Sequence, residues 1–384
     1  MTIFEHIDVE KDYKNILITE IFENVLKVTN IIKQSDNTFL PVLDNIKDKN
    51  INKTVIVLAD GLGAKLLKSK QSYAPFLRKQ EAQILKTCLP STTVSAITAF
   101  TTGKLPSETN MLGWSIINPE NSKLLKLLSF EGYNGDPSVF QKSKTWFEKL
   151  AEENVQSYYV GLEKFENSGF TRASFKGSIF LPVKDEEFFI EETVKLNKKG
   201  EKVIYLHWKE IDYLSHKLGT NNYDLELAIE GFDAFIKHLY SKLDSNTLLV
   251  VLADHGTVNV QEKDRIYIDT FSKYDFIENI AGEGRSLHIH LKKSVDKKAF
   301  IADLQEFLGE TTYILSKENS FINGEKIFED TAWEILGDIV LFPKENYLLC
   351  DRNTQPETMI NLKGVHGSIT NDEVLIPCIY MIKS

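Results

Sequence analysis

Six side chains spread along the chain, Asp60, Asp212, His216, Asp254, His255 and His366, could bind divalent cations. Carboxylates and imidazoles are hard and borderline donors suited to zinc or manganese, and no cysteine thiolate accompanies them. Asp212 and His216 lie four apart in Asp212-Tyr213-Leu214-Ser215-His216, so both point the same way if the segment is helical. Taken alone, that pair reads more readily as a polar surface or a satisfied core histidine. Asp254-His255-Gly256 is more specific, because it directly follows an apolar run. Adjacent ligands at a strand end can reach one cation while glycine leaves room for it, although a turn with an aspartate cap has the same pattern. His366, in Gly364-Val365-His366-Gly367, fits either a loop pressed against a ligand or a flexible turn.

A candidate nucleophile lies in Leu89-Pro90-Ser91-Thr92-Thr93-Val94-Ser95-Ala96, which reads as a turn entering a helix. Pro90 disfavours helix just before it, and Ser91, Thr92 or Thr93 could cap the helix start. A hydroxyl there is well placed for phosphate, since free backbone N–H groups and the helix dipole favour negative charge. A plain N-cap explains the same residues.

The elements that must position these groups are legible in part. Thr54–Leu58, Lys202–Leu206 and Thr247–Leu252 are short apolar runs rich in β-branched residues, expected to be buried strands of a parallel sheet. Between the last two, Leu225, Ala228, Ile229, Phe232, Phe235, Ile236 and Leu239 recur at helical spacing, completing a βαβ unit. Each strand ends in a polar segment: Asp60-Gly61, then His207 to His216, then Asp254-His255-Gly256. Sites in open α/β sheets lie at the carboxyl ends of strands, so these segments are expected to converge. The fold class expected is α/β, a mostly parallel sheet flanked by helices, in one catalytic domain over 1–384. Positions 104–181 are expected to form a cap and 285–350 a small α+β insertion. The weakly patterned opening is kept within the same domain.

Composition narrows the function. With 45 Lys plus Arg against 55 Asp plus Glu, the net charge is −10, which excludes a duplex nucleic acid partner. An acidic protein that handles a phosphorylated substrate needs local positive charge, and bound metal cations are a direct source. Three widely spaced cysteines, Cys88, Cys350 and Cys378, support neither a disulfide framework nor a cysteine zinc site. No apolar run reaches membrane-spanning length, and the N-terminal residues lack the pattern of a signal peptide, so a cytoplasmic protein with no membrane partner is expected.

In order along the chain, Asp60-Gly61, Pro90 to Thr93 with Thr102-Gly103, Asp212 to His216, Asp254-His255-Gly256 and His366-Gly367 resemble the alkaline phosphatase superfamily. The resemblance is to its nucleotide pyrophosphatase/phosphodiesterase branch and that branch's short cytoplasmic bacterial members, and it spans about residues 54 to 380. It implies an alkaline phosphatase-like fold with two divalent metal ions, zinc or manganese. Asp212, His216 and His366 would hold one, and Asp60, Asp254 and His255 the other, with the Thr93 oxygen beside the second. Thr93 would then attack phosphorus to give a covalent phosphothreonine.

Two features depart from that pattern. Ala96 stands where the family commonly has an asparagine that donates to a phosphoryl oxygen. Cys88-Leu89-Pro90-Ser91-Thr92 imitates the sulfatase Cys-x-Pro-Ser-Arg motif without its arginine. Cys88 also lies fifteen residues before Gly103 where the family spacing is ten, so the nucleophile position falls on Thr93.

The resemblance implies a phosphodiesterase or nucleotide pyrophosphatase acting on a small phosphorylated substrate, a nucleotide, with cyclic dinucleotides such as cyclic di-AMP among the candidates. Trp114, Phe140 and Trp146 are the cap aromatics expected to stack on a base. The alternatives are a phosphonate hydrolase of the phosphonoacetate type or a phosphomonoesterase on the same site, and a metal-stabilised binding protein in which Thr93 is only a cap.

Overall fold

The computed structural model of the chain describes residues 2–33, 46 and 50–383; the remainder of the opening stretch, 34–45 and 47–49, lies outside the described residues. Its centre is an eight-stranded sheet. In chain order the strands are β1 (Thr2–Ile3), β2 (Lys53–Ala59), β3 (Glu81–Lys86), β4 (Ser157–Leu162), β5 (Ile179–Val183), β6 (Val203–Trp208), β7 (Thr247–Leu252) and, at the C-terminus, β12 (Leu375–Lys383). They lie side by side as β1-β3-β12-β7-β2-β6-β4-β5. The five from β7 to β5 are parallel, whereas β12 runs antiparallel to both β7 and β3.

β2, the middle of the parallel block, explains why its sequence is so apolar. Helices cover both faces of such a sheet, so Val55, Ile56, Val57, Leu58 and Ala59 are all fully buried. Each large side chain so buried contributes about 1.5–3 kcal/mol. The helical repeat after β6 is also present. Helix Tyr223–Lys242 buries Leu225, Ile229, Phe232, Phe235, Ile236 and Leu239, with Ala228 half-buried at the edge of that face, and Asn222 caps its start by accepting from the Asp224 N–H.

Within the stretch 104–181, β4 and β5 join the edge of the main sheet, while a hairpin of Ser115–Asn118 and Lys123–Lys126 and several short helices stand outside it. The insertion after β7 carries a four-stranded antiparallel sheet of β8 (Ile277–Glu283), β9 (Ser286–Leu291), β10 (Thr312–Leu315) and β11 (Ile339–Pro343), so it begins before position 285. Helix Lys297–Leu308 closes a second apolar core there, through Phe300, Leu304 and Leu308 against Leu287, Ile289 and Leu341.

The topology fixes where chemistry can occur. β2, β6 and β7 all run toward one edge, and β3 runs with them because both β3 and β7 oppose β12. Asp60, the Asp212 segment, Asp254 and the Pro90–Thr93 turn follow directly from those four strand ends. His366 arrives on the chain that leads into β12 at the same edge.

Candidate active site

The nucleophile candidate sits at the start of helix α1 (Thr93–Thr102). Thr92 is the N-cap, its Oγ1 accepting from the Ser95 N–H, so Thr93 is the first helical residue and its own hydroxyl is released from capping. That side chain is partly exposed, and Oγ1 lies 3.2 Å from Nε2 of His255 and 3.4 Å from Oδ1 of Asp60. The helix N-terminus adds its partial positive charge at this point. Cys88, by contrast, is buried with its thiol pushed up to about 12, mainly by desolvation, and is inert as a nucleophile.

Asp212 and His216 occupy helix α2 (Glu210–Leu218), which follows β6. One helical turn places His216 Nε2 3.3 Å from Asp212 Oδ2. Gly61 lets this helix approach, since with φ +72° it turns the chain after Asp60 and a Cβ there would lie 3.0 Å from Cα of Asp212. His366 Nε2 is 3.3 Å from His216 Nε2 and 3.7 Å from Asp212 Oδ1. His255 Nε2 is 3.4 Å from Asp60 Oδ1 and 3.5 Å from Asp254 Oδ2. The His255 and His366 rings stack with centroids 3.6 Å apart.

The hydrogen bonds behind these histidines decide their tautomers. Nδ1 of His216 meets the carbonyl of Gly364 at 2.8 Å, Nδ1 of His255 that of Gly256 at 3.0 Å, and Nδ1 of His366 that of Ser91 at 3.0 Å. A carbonyl only accepts, so each Nδ1 donates and each Nε2 turns a bare lone pair toward the others. Two lone pairs 3.3 Å apart in His216 and His366 repel unless a cation lies between them. The carboxylates repeat the pattern. Asp254 Oδ1 accepts from the N–H groups of Gly61 and His255, leaving Oδ2 buried without a partner. Asp212 Oδ1 is likewise buried without a hydrogen bond.

Burial, then the charges of Asp254 and Asp212, hold the Asp60 carboxyl well above the ordinary carboxylate range. Burial and the neighbouring imidazoles hold His366 well below the usual histidine range. Such a set of inward lone pairs and clustered carboxylates is what divalent cations satisfy. Among the described residues, two groups of ligand atoms lie close enough to share an ion: Asp212, His216 and His366, and Asp60, Asp212 and His255. Asp212 therefore stands between both positions, and Asp254 adjoins the second through His255.

The structure thus brings Asp60, Thr93, Asp212, His216, Asp254, His255 and His366 together. The aromatic residues expected near them are dispersed. Phe140 is 8% exposed and enclosed by Phe130 and Tyr133. Trp146 lies beside Gly103 at the other end of α1, about 15 Å along the helix from Thr93, with Lys149 over its ring. Trp114 is partly exposed and adjoins Gly113, which packs near Pro90. Ala96 is fully buried and offers phosphate no side-chain donor.

Three further residues gained no role from sequence. His207, on β6, donates from Nε2 to Asp60 Oδ2 at 2.9 Å. Arg285, in the turn between β8 and β9, is fully buried and pairs with both carboxylate oxygens of Glu373 at 3.0 and 2.6 Å. That clamp ties the hairpin tip to the loop after His366. It brings in Glu283, whose carboxyl is held well above the ordinary range by burial and by Glu373 and Asp212.

Comparison with known proteins places this arrangement. The sequence profile described as "Type I phosphodiesterase / nucleotide pyrophosphatase" matches residues 54–369. The chain belongs to the type I phosphodiesterase / nucleotide pyrophosphatase family. This family and fold are those of phosphoric ester hydrolases. Phosphonoacetate hydrolase from Sinorhizobium meliloti 1021, solved with phosphonoacetate, superposes with TM-score 0.66 at 18% identity, covering 86% of this chain and 90% of that one. Murine ectonucleotide pyrophosphatase / phosphodiesterase 5 superposes with TM-score 0.65 at 15% identity, covering 85% and 87%. Both show the alkaline phosphatase-like fold. GPI ethanolamine phosphate transferase 2 of Kluyveromyces lactis is 27% identical over 172 residues, 44% of this chain. The catalytic subunit of human GPI ethanolamine phosphate transferase 3 is 26% identical over 174 residues. This type I phosphodiesterase family member spans 20% of the length of the first of these and 14% of the second. No helix among the described residues is long and apolar enough to cross a membrane.

Proposed function

We propose that the chain is a two-metal phosphodiesterase that cleaves nucleotide esters through Thr93. One observation carries the reading: three imidazoles, each held by Nδ1 on a backbone carbonyl, turn Nε2 into the space that the aspartates and the Thr93 hydroxyl also face. Asp212, His216 and His366 would hold one divalent ion, zinc or manganese, and Asp60, Asp254 and His255 the other. When bound, such ions supply positive charge to phosphoryl oxygens and lower the pKa of a hydroxyl or water. Thr93 Oγ1 gives up its proton and forms a bond to phosphorus as the P–O bond on the opposite side breaks and that oxygen leaves as the alcohol after taking up a proton; water then hydrolyses the phosphothreonine and restores the Thr93 hydroxyl. The first-turn N–H groups of α1 offset charge on the phosphoryl oxygens in place of the side chain that Ala96 lacks. Three buried thiols without disulfides suit a cytoplasmic setting.

Family membership supports a nucleotide substrate, and a cyclic dinucleotide such as cyclic di-AMP is one candidate. A second reading, hydrolysis of a small phosphonate, is favoured by the cleft beside His216 and His366. It has a volume of about 40 Å³, and no Phe, Tyr or Trp stands in its lining. The test is a comparison of kcat/KM for nucleotide diesters, cyclic dinucleotides, phosphonoacetate and p-nitrophenyl phosphate, with zinc and manganese in turn. Preference for phosphonoacetate would replace the first reading by the second. Thr93→Ala should abolish turnover of every substrate while metal content persists, and Thr93→Ser should retain part of it; full activity in Thr93→Ala would reject the mechanism.

A further inference from the structure

Glu283 is a carboxylate without a counterpart. It ends β8 at the hairpin tip, where its Oε1 is shut off from solvent with no hydrogen-bond partner. The side chain as a whole keeps partial exposure, so it borders an opening rather than sealed core. That opening is the cleft that also exposes His216 and His366. Gly367, directly after His366, is within contact range of Glu283, since a Cβ there would lie 3.3 Å from Oε1. An unpaired carboxylate oxygen out of water is costly, and the surroundings do not relieve it. The adjacent cation, Arg285, is already committed to Glu373 through both oxygens. The other charged neighbours, Asp212 and Glu373, are acidic.

The missing partner is a cation, and the walls indicate its type. Among the described residues Glu283 belongs to neither group of mutually close metal-ligand atoms, so a further metal ion would find a single carboxylate. Leu348, Leu349, Met359, Leu362 and Val365 form much of the remaining lining, which suits the carbon chain of an organic cation. No Phe, Tyr or Trp ring is in the lining of the cleft, and quaternary ammonium groups are characteristically held in cages of such rings. A primary ammonium instead donates hydrogen bonds directly to a carboxylate.

Position assigns this cation to one half of the substrate. Thr93 Oγ1 contacts the Asp60 and His255 end of the cluster, whereas the cleft opens at the His216 and His366 end. In-line displacement sends the leaving oxygen away from the nucleophile. We infer that the Glu283 cleft binds a primary ammonium on the leaving group, so that the preferred substrate is an aminoalkyl ester. The inference rests on the Thr93 phosphodiesterase reading, and within it favours a 2-aminoethyl ester over cyclic dinucleotides, which carry no such group.

The experiment holds the retained half constant. The 2-aminoethyl, choline and n-propyl esters of AMP are compared by kcat/KM in the metal-loaded enzyme and in Glu283→Gln. The choline ester supplies the positive charge without N–H donors, and the propyl ester the shape without charge. The wild type should prefer the 2-aminoethyl ester to each of the others by at least about tenfold, equivalent to about 1.4 kcal/mol. In Glu283→Gln that ratio should fall toward one. Equal rates in the wild type, or a preference that survives in Glu283→Gln, would overturn the inference. A second arm needs no turnover: calorimetry of 2-aminoethyl phosphate and propyl phosphate on metal-loaded Thr93→Ala, where only the amine should bind measurably tighter. If no AMP ester is cleaved, the phosphodiesterase reading fails by itself, and equal binding of the two phosphates in the second arm rejects the ammonium subsite separately.

Discussion

At Asp60 the two carboxylate oxygens have different duties. Oδ1 faces Thr93 and His255, while Oδ2 accepts the 2.9 Å hydrogen bond from His207. That bond fixes the carboxylate rotamer, and loss of such an outer partner typically lowers metal affinity 10–100-fold, that is, roughly one to two powers of ten. His207→Ala should therefore bind zinc about 10–100-fold more weakly in a chelator competition, with unaltered affinity counting against a positioning role. Why sequence left His207 without a role is physical. Asp212 and His216 share a helical period, and Asp254 and His255 are adjacent, so their partnership is written locally; the bond from His207 to Asp60 exists only because β6 pairs with β2. His288 was silent for a similar reason. It is buried with neither ring nitrogen hydrogen-bonded, and burial, then His290, pushes it down to about 3. It stays neutral in the fold, while in the unfolded chain it takes a proton near pH ~6.5. Its folded pKa is depressed, so stability is intact above that pH and is lost as pH falls from about 6.5 toward the folded value. His288→Leu should flatten this acid limb, as read from thermal midpoints at pH 7 and pH 5; curves that fall in parallel would reject it as the cause.

Among the elements, the β8–β9 hairpin shows how the insertion serves the sheet. Arg285 at its tip and Glu373 in the short helix Asn371–Val374 form an ion pair in which both side chains are fully buried. Glu373 also accepts from the Ser368 and Thr370 N–H groups, so the pair fastens the whole loop after His366. Removing one partner of such a pair strands the other charge, at a cost of about 3–5 kcal/mol. Arg285→Met should lower unfolding free energy by about that amount in urea titrations, and joint replacement with Glu373→Leu should recover part of the loss. A single-variant cost below about 1 kcal/mol would mean that the loop is held otherwise. The buried parallel strands were readable because each is a continuous apolar run flanked by polar punctuation. β12 was harder, since Pro377 argues against a central strand, yet the strand lies between β3 and β7. β8 was hidden by its mixed polarity, Ile277-Glu278-Asn279-Ile280-Ala281-Gly282-Glu283, which follows from one face packing on an insertion core while the tip meets the site.

For the molecule as a whole, the site concentrates charge that the chain already has in excess. The net charge is −10, and Asp60, Asp212 and Asp254 converge where the ends of β2, β6 and β7 meet. The raised pKa of Asp60 states the consequence for the metal-free protein. A carboxyl whose folded pKa lies above its unfolded value of about 3.9 contributes stability only at low pH, and that contribution is lost as pH rises through the folded value. At neutral pH the metal-free fold is therefore strained at this point, and cations that bind the native cluster relieve it. Ligand held at about 100 times its dissociation constant adds about 2.7 kcal/mol. Zinc should raise the thermal midpoint at pH 7.5 relative to the protein in EDTA, and Asp254→Asn separates the two contributions. The substitution can keep Oδ1 as acceptor for the Gly61 and His255 N–H groups while removing one charge beside Asp60. Scanning calorimetry should then show two opposite effects: the zinc-dependent rise shrinks, while in EDTA the variant melts at or above the wild-type temperature. If the variant melts lower than wild type in EDTA, carboxylate repulsion does not govern the metal-free state; if zinc stabilises both proteins equally, Asp254 is not among the groups that hold the ion.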